Sequence, residues 1–572
     1  MKEEKNFKAW PKGRPKSLSY PVIPIYEFLN STVAKYPDTV AMRFAGMELT
    51  YQEFLTLSNR FSNALKVRDV KKGDRVAIHL PNCPQFAIAY YAIMKLGAIF
   101  VPCSPLAGER ELEHQLNDAG ADTLITLDLL AAVFDNILGK TRVQRLIVTS
   151  LSDTYPPVSA PVKALTKQPI EKGEDFLKLL EEGDSDPVNE EIDPKKDIAH
   201  LAYTGGTTGL PKGVMVSHYN VVVNVLQQVH WFMGGDVTYR NGILSPDLSL
   251  VERELGNEQP SIEEGITALV VVPWFHAMGT IAYLNTPVYC GGTMIVFPRF
   301  YAAEYIGAIG KYKADMLGGA PQLFIPMVQD SEFKKTDVSR VRLVASGAAP
   351  LPVPILEQML ESFSGVVCEG YGMTEVVCTA NLNPPTRDGL KPGSVGIPVF
   401  DTYTKVIDLE TGDPLPPGKE GEICMKGPQV AGGYWEKPEE TAQVFIDGWV
   451  HSGDIGCYDE DGYFYVTDRK KDMVIYKGHN VYPRELEEIL FEHPKVAHCA
   501  VVGKNDEKGG EIPVAFIQLK PETKATPEEV MDFVNEKVAK YKHVREVFFI
   551  DSIPVSATGK VLKRELRERL KG

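Results

Sequence analysis

At 572 residues the chain exceeds what one hydrophobic core supports, so at least two domains are expected. Hydrophobic residues at 44% are ordinary for a soluble globular protein, and a formal charge of −15 argues against nucleic acid as a partner. The eight cysteines form no Cys-x-x-Cys pair, which disfavours a zinc site or a disulfide framework and fits a reducing cytoplasm; no apolar run reaches the roughly 18 residues needed to span a bilayer.

The N-terminus carries Lys2, Lys5, Lys8, Lys12, Arg14 and Lys16 with Trp10, but no apolar core of a signal peptide. It reads as a disordered tail, with peripheral contact to anionic lipid as the alternative. From Arg75 onward the pattern is strand (Val76 to Leu80), helix (Phe86 to Leu96) and strand (Ile99 to Val101), then apolar runs at Leu124 to Thr126 and Leu146 to Val148. Such alternation implies βαβ units and a largely parallel sheet. The polar stretch from Ser150 to Lys196 shows no buried strand and is read as surface.

The loop Tyr203-Thr204-Gly205-Gly206-Thr207-Thr208-Gly209-Leu210-Pro211-Lys212-Gly213 follows. Glycines let backbone N–H groups converge on an anion, threonine hydroxyls add donors, and Lys212 supplies a compensating charge, so a phosphate-rich ligand is expected. It is not a Walker A loop, because Lys212 stands between Pro211 and Gly213. An acidic, loop-like stretch from Trp231 to Gly265 comes next, then strand signals at Leu269 to Pro273, Met294 to Phe297, Met316-Leu317 and Leu343 to Ala345, a second doubly wound layer. Between Val395 and Val466 short strands punctuated by Gly and Pro predict a β-rich subdomain.

The charged run Asp468 to Asp472 marks the expected boundary, dividing the chain into residues 1–468, a connection at 469–471 and a small α+β domain at 472–572. There a helix opens at Pro483 with Leu486, Ile489 and Leu490 on one face. Another is signposted by Thr526, Pro527 and Glu529, with Val530, Phe533, Val534, Val538 and Tyr541 as its apolar stripe. The expected fold class is α/β: a large N-terminal domain of doubly wound sheets with a β-rich subdomain, plus this small C-terminal domain.

The glycine-threonine loop with Val214 to His218 resembles the signature of the acyl-adenylate-forming superfamily of acyl-CoA synthetases, peptide-synthetase adenylation domains and firefly luciferase. Further motifs of that superfamily occur in its order, from about Leu49 to Lys560. The resemblance implies ATP, Mg²⁺ and CoA as co-substrates or cofactors, a small-molecule carboxylic acid as substrate, and AMP and pyrophosphate as products. In Glu369-Gly370-Tyr371-Gly372-Met373-Thr374-Glu375 the aromatic would pack on adenine, Thr374 would bind phosphate or acyl carboxylate, and Glu375 would help hold Mg²⁺. Gly347, Ala348 and Ala349 would line adenine; Asp454 and Arg469 would reach the ribose, a carboxylate being suited to a diol.

Lys560, in Pro554 to Lys560, would bridge acyl carboxylate and α-phosphate. Lys471 would be the hinge of a mobile C-terminal domain, and Lys477 and Gly478 would move toward the nucleotide for thiol attack by CoA. Trp274, His276 and Gly279, with Gly318 and Ala320, would form the acyl pocket, the glycines leaving room for a bulky apolar group. No acidic residue stands between Phe275 and Thr286 to hold a substrate ammonium, which disfavours an amino acid. A medium- or long-chain fatty acid is the leading substrate, with an aryl or cinnamate-type acid, or transfer to a separate carrier protein, as alternatives. A homodimer remains compatible with the sequence.

Overall fold

The computed structural model describes residues 8–153, 167–168, 172–188, 190–204, 211–247, 249–250, 266–477, 479–506, 510–555 and 560–570. Two large sheets form the N-terminal domain. One is seven-stranded, with Arg75–His79 central between Thr123–Leu127 and Ile99–Pro102, and ends on Ile198–Tyr203 and Gly213–Ser217. The other is nine-stranded and carries Met316–Gly319, Leu343–Ser346 and Val366–Tyr371 side by side in parallel.

Residues of each strand alternate between two cores, as a pleat requires. In the seven-stranded sheet Val76, Ile78 and Ile125 face a core shared with the other sheet, whereas Ala77, Leu124 and Leu201 face the helix Glu109–Ala119. In the nine-stranded sheet Ala268, Val270 and Met294 enter the shared core, while Leu269, Ile295 and Leu317 pack under Ala302–Lys311 and Pro321–Gln329. The layer between the sheets holds Tyr51–Val67, Pro84–Leu96 and His218–Met233. Pro84–Leu96 is buried along its whole length, which explains its apolar character on every side.

A five-stranded antiparallel sheet from Tyr403 to Arg469 forms the β-rich subdomain, and the C-terminal domain has its own five-stranded sheet with strands between Val474 and Phe549. Its helix Pro527–Asn535 is capped by the Thr526 side chain, which accepts from the Glu529 amide; the Glu529 carboxylate turns instead to Lys495. Val538 and Tyr541 lie beyond the helix end, yet pack on the same core.

Three expectations change. Residues 8–20 are not a loose tail: Trp10 packs edge-on against Trp231 and Phe400, and the Arg14 guanidinium donates to the carbonyls of Trp231 and Phe232. The polar stretch before the loop contains a short buried helix, Phe176–Glu182, capped by Asp175; Phe176 stacks on Phe61, because four apolar residues in five suffice to dock one turn. The stretch expected to be loop-like contains the hairpin Asp236–Arg240 and Ile243–Asp247. Asn241 and Gly242 both have positive φ in its two-residue turn, the geometry that Asn-Gly favours. Most of its acidic remainder lies outside the described residues.

Candidate active site

Parallel strands deliver their carboxyl ends to one crevice, the usual place for a ligand in an open α/β sheet. Ala320 follows Met316–Gly319, Gly347 to Ala349 follow Leu343–Ser346, and Gly372 to Glu375 follow Val366–Tyr371. The Gly347 amide donates to the Gly319 carbonyl at 3.1 Å, joining two of the motifs. Ala348 has φ +66, a left-handed conformation uncommon without glycine. Immediately after Glu375, Val377 has φ 68 and ψ −59 while the Cys378 amide bonds the Val376 carbonyl at 2.8 Å; this is a strained γ-turn with a β-branched residue at its centre.

The residues flanking the phosphate-type loop pair in antiparallel fashion: Tyr203 pairs with Gly213, and the Thr204 amide donates to the Lys212 carbonyl at 3.1 Å. Gly213 permits this closure, since a Cβ there would lie 3.2 Å from the Tyr203 ring. Gly205, Gly206, Thr207, Thr208 and Gly209 lie outside the described residues. The strand after the loop bridges Val214 to Tyr434, and the Tyr434 ring lies 5.1 Å from the Lys212 ammonium. The Tyr434 hydroxyl donates to Glu375 Oε1 at 2.6 Å. Tyr434 thus ties the loop's cation to the glutamate expected at the metal. The sequence does not single it out, because an aromatic after Gly432-Gly433 is a pattern that ordinary turns share.

Asp454 is 5% exposed, and each of its oxygens has a fixed partner. The Tyr371 hydroxyl donates to Oδ2 at 2.7 Å, and Arg469 Nε pairs with Oδ1 at 3.1 Å across neighbouring strands in which residues 454 and 469 face each other. Glu422, a second residue missed from sequence, holds this corner: it accepts from the Gly453 amide at 3.0 Å and from the Lys470 ammonium at 3.3 Å.

Lys560 reaches this cluster from the C-terminal domain. Burial pushes its ammonium down to about 8, with Arg469 adding to the effect and Asp454 and Glu375 opposing it. Burial likewise raises the Glu375 carboxyl against the Tyr434 hydrogen bond, and Asp454 holds the Arg469 guanidinium above its ordinary range. Glu369 is pushed up to about 7 by burial; its Oε1 accepts from the Leu351 amide at 3.1 Å, and Oε2 has no partner among the described residues. His276 caps the helix Ala277–Thr280. Burial, aided by the Lys560 charge, lowers its imidazole to about 3, so the ring is neutral near pH 7.

The remaining residues fall differently. The Trp274 ring is fully buried, donating to the Tyr283 carbonyl at 3.0 Å and packing on Phe86. Gly279 and Gly318 leave no open room: a Cβ at 279 would lie 1.9 Å from the Pro273 carbonyl oxygen, and one at 318 would lie 1.4 Å from the Tyr283 hydroxyl. Both glycines serve close approach, which corrects the expectation that they enlarge the pocket. Lys471 occupies the third position of a turn closed by the Asp472 amide on the Arg469 carbonyl at 2.9 Å. Lys477 stands exposed at a hairpin turn with its ammonium over the Tyr476 ring; no contact among the described residues joins it to Lys560 or Glu375, and Gly478 lies outside those residues.

The sequence pattern of the AMP-binding enzyme family matches residues 29–435, and that of the AMP-binding enzyme C-terminal domain matches residues 485–560. The chain is 36% identical to a long-chain-fatty-acid–CoA ligase of Bacillus subtilis (strain 168), covering 99% of this chain and 98% of that one. It is 32% identical to 4-coumarate–CoA ligase 2 of Oryza sativa subsp. japonica, over 96% and 92% of the two chains. Among solved structures it superposes on ATP-bound MatB from Rhodopseudomonas palustris with a TM-score of 0.81 and 27% identity, covering 96% and 99%. It superposes on the anthranilate CoA ligase AuaEII in complex with anthranoyl-AMP with a TM-score of 0.83 and 25% identity, covering 96% and 98%. With the first pattern matched over more than half of the chain and the second over most of its C-terminal domain, the chain belongs to the AMP-binding enzyme family.

Proposed function

We infer that the protein is an AMP-forming acid–thiol ligase that activates a medium- or long-chain fatty acid with ATP and transfers the acyl group to CoA. The observation that carries this reading is the convergence of Lys560, Glu375 and the Asp454–Arg469 pair, within a chain related over nearly its whole length to long-chain-fatty-acid–CoA ligases. In the first step a carboxylate oxygen attacks the α-phosphorus of ATP, forming the acyl-O–P bond of the acyl-AMP and breaking the bond to pyrophosphate. Two anions must meet, so cations at the reacting oxygens lower the barrier most. Lys560 is the cation for the acyl carboxylate and α-phosphate; the loop around Lys212 cradles the β- and γ-phosphates; Asp454 accepts from the ribose hydroxyls, and Tyr371 lies against adenine.

Mg²⁺ is held chiefly by substrate phosphates with one or two carboxylates, and no three-residue metal cluster occurs among the described residues. Glu375 fits that need: a buried carboxylate fixed by Tyr434, with lone pairs left for a cation. When bound there, the ion neutralises charge on the phosphates.

In the second step the CoA sulfur attacks the acyl carbonyl and AMP leaves. We place the pivot between the steps at Lys471, within a connection at 469–471, and the CoA-facing segment at Lys477-Gly478. Neither Lys470 nor Lys471 has positive φ, and proline is disfavoured at the third position of such a turn, at a cost of about 1 to 3 kcal/mol. Lys471→Pro is therefore expected to slow acyl-AMP formation by about tenfold and to block thioester formation far more deeply. Equal losses in the two half-reactions, measured separately, would remove the hinge role.

All eight cysteines are free thiols, which suits a cytoplasmic enzyme. No helix among the described residues is long and apolar enough to cross a membrane. The deciding experiment is AMP release with ATP and Mg²⁺ across fatty and aryl acids, with and without CoA. CoA-dependent turnover of aliphatic acids is expected; turnover confined to aryl acids would transfer the reading to the coumarate-type relatives, and adenylate without CoA-dependent release would point to a carrier thiol.

A further inference from the structure

The helix Glu109–Ala119 carries His114 and Asp118 four residues apart, so the two side chains lie side by side on one face. His114 Nε2 is 3.2 Å from the Pro211 carbonyl oxygen. A carbonyl only accepts, so this ring nitrogen carries the hydrogen. Asp118 uses both of its oxygens: Oδ2 accepts from the Tyr203 hydroxyl at 2.8 Å, and Oδ1 accepts from the Lys437 ammonium. Burial and the Asp118 charge raise the Tyr203 hydroxyl above its ordinary range, so it stays a donor.

All three contacts end beside Lys212. Pro211 precedes it, and the Lys212 carbonyl in turn accepts from the amide of Thr204, the residue after Tyr203. Lys437 lies three residues beyond Tyr434, whose ring is 5.1 Å from the Lys212 ammonium. The chain around Tyr434 is fixed as well: Val214 bridges to Tyr434, and the Trp435 amide donates to the Gly213 carbonyl at 2.8 Å. Tyr203 and Trp435 pack on the same core as Leu112 and Leu116 of the helix. The Asp118 and Lys437 side chains are only 12% and 24% exposed. Desolvation offsets much of the attraction in such an ion pair, so stability alone does not account for it.

We propose that His114 and Asp118 are positioning residues for Lys212. One helix face fixes the backbone before this lysine, the strand that leads into its loop and the segment that bears its ring partner. The ammonium is thereby aimed before the nucleotide arrives. The inference rests on the function proposed above, in which Lys212 meets the β- and γ-phosphates; His114 and Asp118 act through that cation and not on the nucleotide.

The test is calorimetric titration of the full-length protein with ATP and Mg²⁺, and with AMP, which lacks the β- and γ-phosphates. Wild type is compared with His114→Phe, His114→Gln and Asp118→Asn. ATP affinity is expected to fall about fivefold or more in His114→Phe and Asp118→Asn while AMP affinity holds. His114→Gln, whose amide can still donate to Pro211, should stay near wild type. Equal losses for ATP and AMP would mark a general structural effect and overturn the positioning role, as would unchanged ATP affinity in the folded variants. His114→Phe strands no charge, so it decides the outcome if Asp118→Asn unfolds. Adding His114→Phe to Lys212→Ala should weaken ATP no further, and a full extra loss would show that His114 does not act through the lysine. Lys212→Ala that keeps wild-type ATP affinity would instead remove the phosphate role of Lys212 itself. Absence of ATP binding by wild type would overturn the proposed function and this inference with it.

Discussion

Lys560→Ala is expected to slow acyl-AMP formation by about 10²- to 10³-fold while the same protein still converts supplied acyl-AMP and CoA into thioester. In the proposed reading its ammonium is the cation at the reacting oxygens, because Arg469 is paired with Asp454 and Lys212 lies over the Tyr434 ring. Losing one preorganised charge at a developing anion costs about 10²- to 10³-fold in rate. Thioester formation is a separate step, in which the CoA sulfur loses its proton and bonds the acyl carbon while AMP leaves with the electron pair of the C–O bond; in the proposed reading Lys560 acts only in the first step. Equal loss in both half-reactions, each started from its own purified substrates, would end the assignment.

The same residue predicts a pH limb. Burial lowers its ammonium from 10.5 to about 8, so the charged form is lost as pH rises through about 8. kcat/KM for ATP in adenylation should therefore fall above about pH 8, because this parameter reports the free enzyme. Lys560→Arg stays charged throughout, and its lower activity should lack that limb. A limb that persists in the arginine variant would assign it to another group.

Asp454→Ala is expected to raise KM for ATP and lower kcat/KM by about 10²- to 10⁴-fold, the worth of two hydrogen bonds to a charged acceptor at about 1.5 to 3 kcal/mol each. The substitution also leaves the Tyr371 hydroxyl and the Arg469 guanidinium without their shared anion. A general loss of structure would lower activity with every nucleotide alike, so discrimination is the sharper readout. Wild type should prefer ATP strongly over 2′-deoxy-ATP, and Asp454→Ala should lose most of that preference. Preference retained in the variant would place the ribose elsewhere.

Much of the site was legible in the sequence because its chemistry is carried by short, contiguous motifs. Glu369 to Glu375 and Gly347 to Ala349 each sit at the end of one strand, and the residues flanking the glycine-threonine loop pair with each other, so local sequence both builds and positions them. Tyr434 and Glu422 were not legible. Each acts through a partner far along the chain, Tyr434 on Glu375 and Glu422 on Gly453, and no local pattern distinguishes such a residue from an ordinary strand or turn position. The docked N-terminal residues escaped for the same reason: six basic side chains read as a solvated tail, whereas Arg14 finds two backbone carbonyls more than 200 residues away.

What the sequence by itself determined is the order of elements, the layered α/β class and the motifs from which candidate reacting groups are drawn, since hydrophobic period and motif spelling are local properties. The tertiary structure alone decided what surrounds those groups. It set Asp454 opposite Arg469, sank Lys560 far enough to lower its ammonium, and filled the space above Gly279 and Gly318 with a carbonyl and a tyrosine ring. Burial, close approach and charge pairing depend on distances between chain segments, and those distances exist only once the sheets have packed.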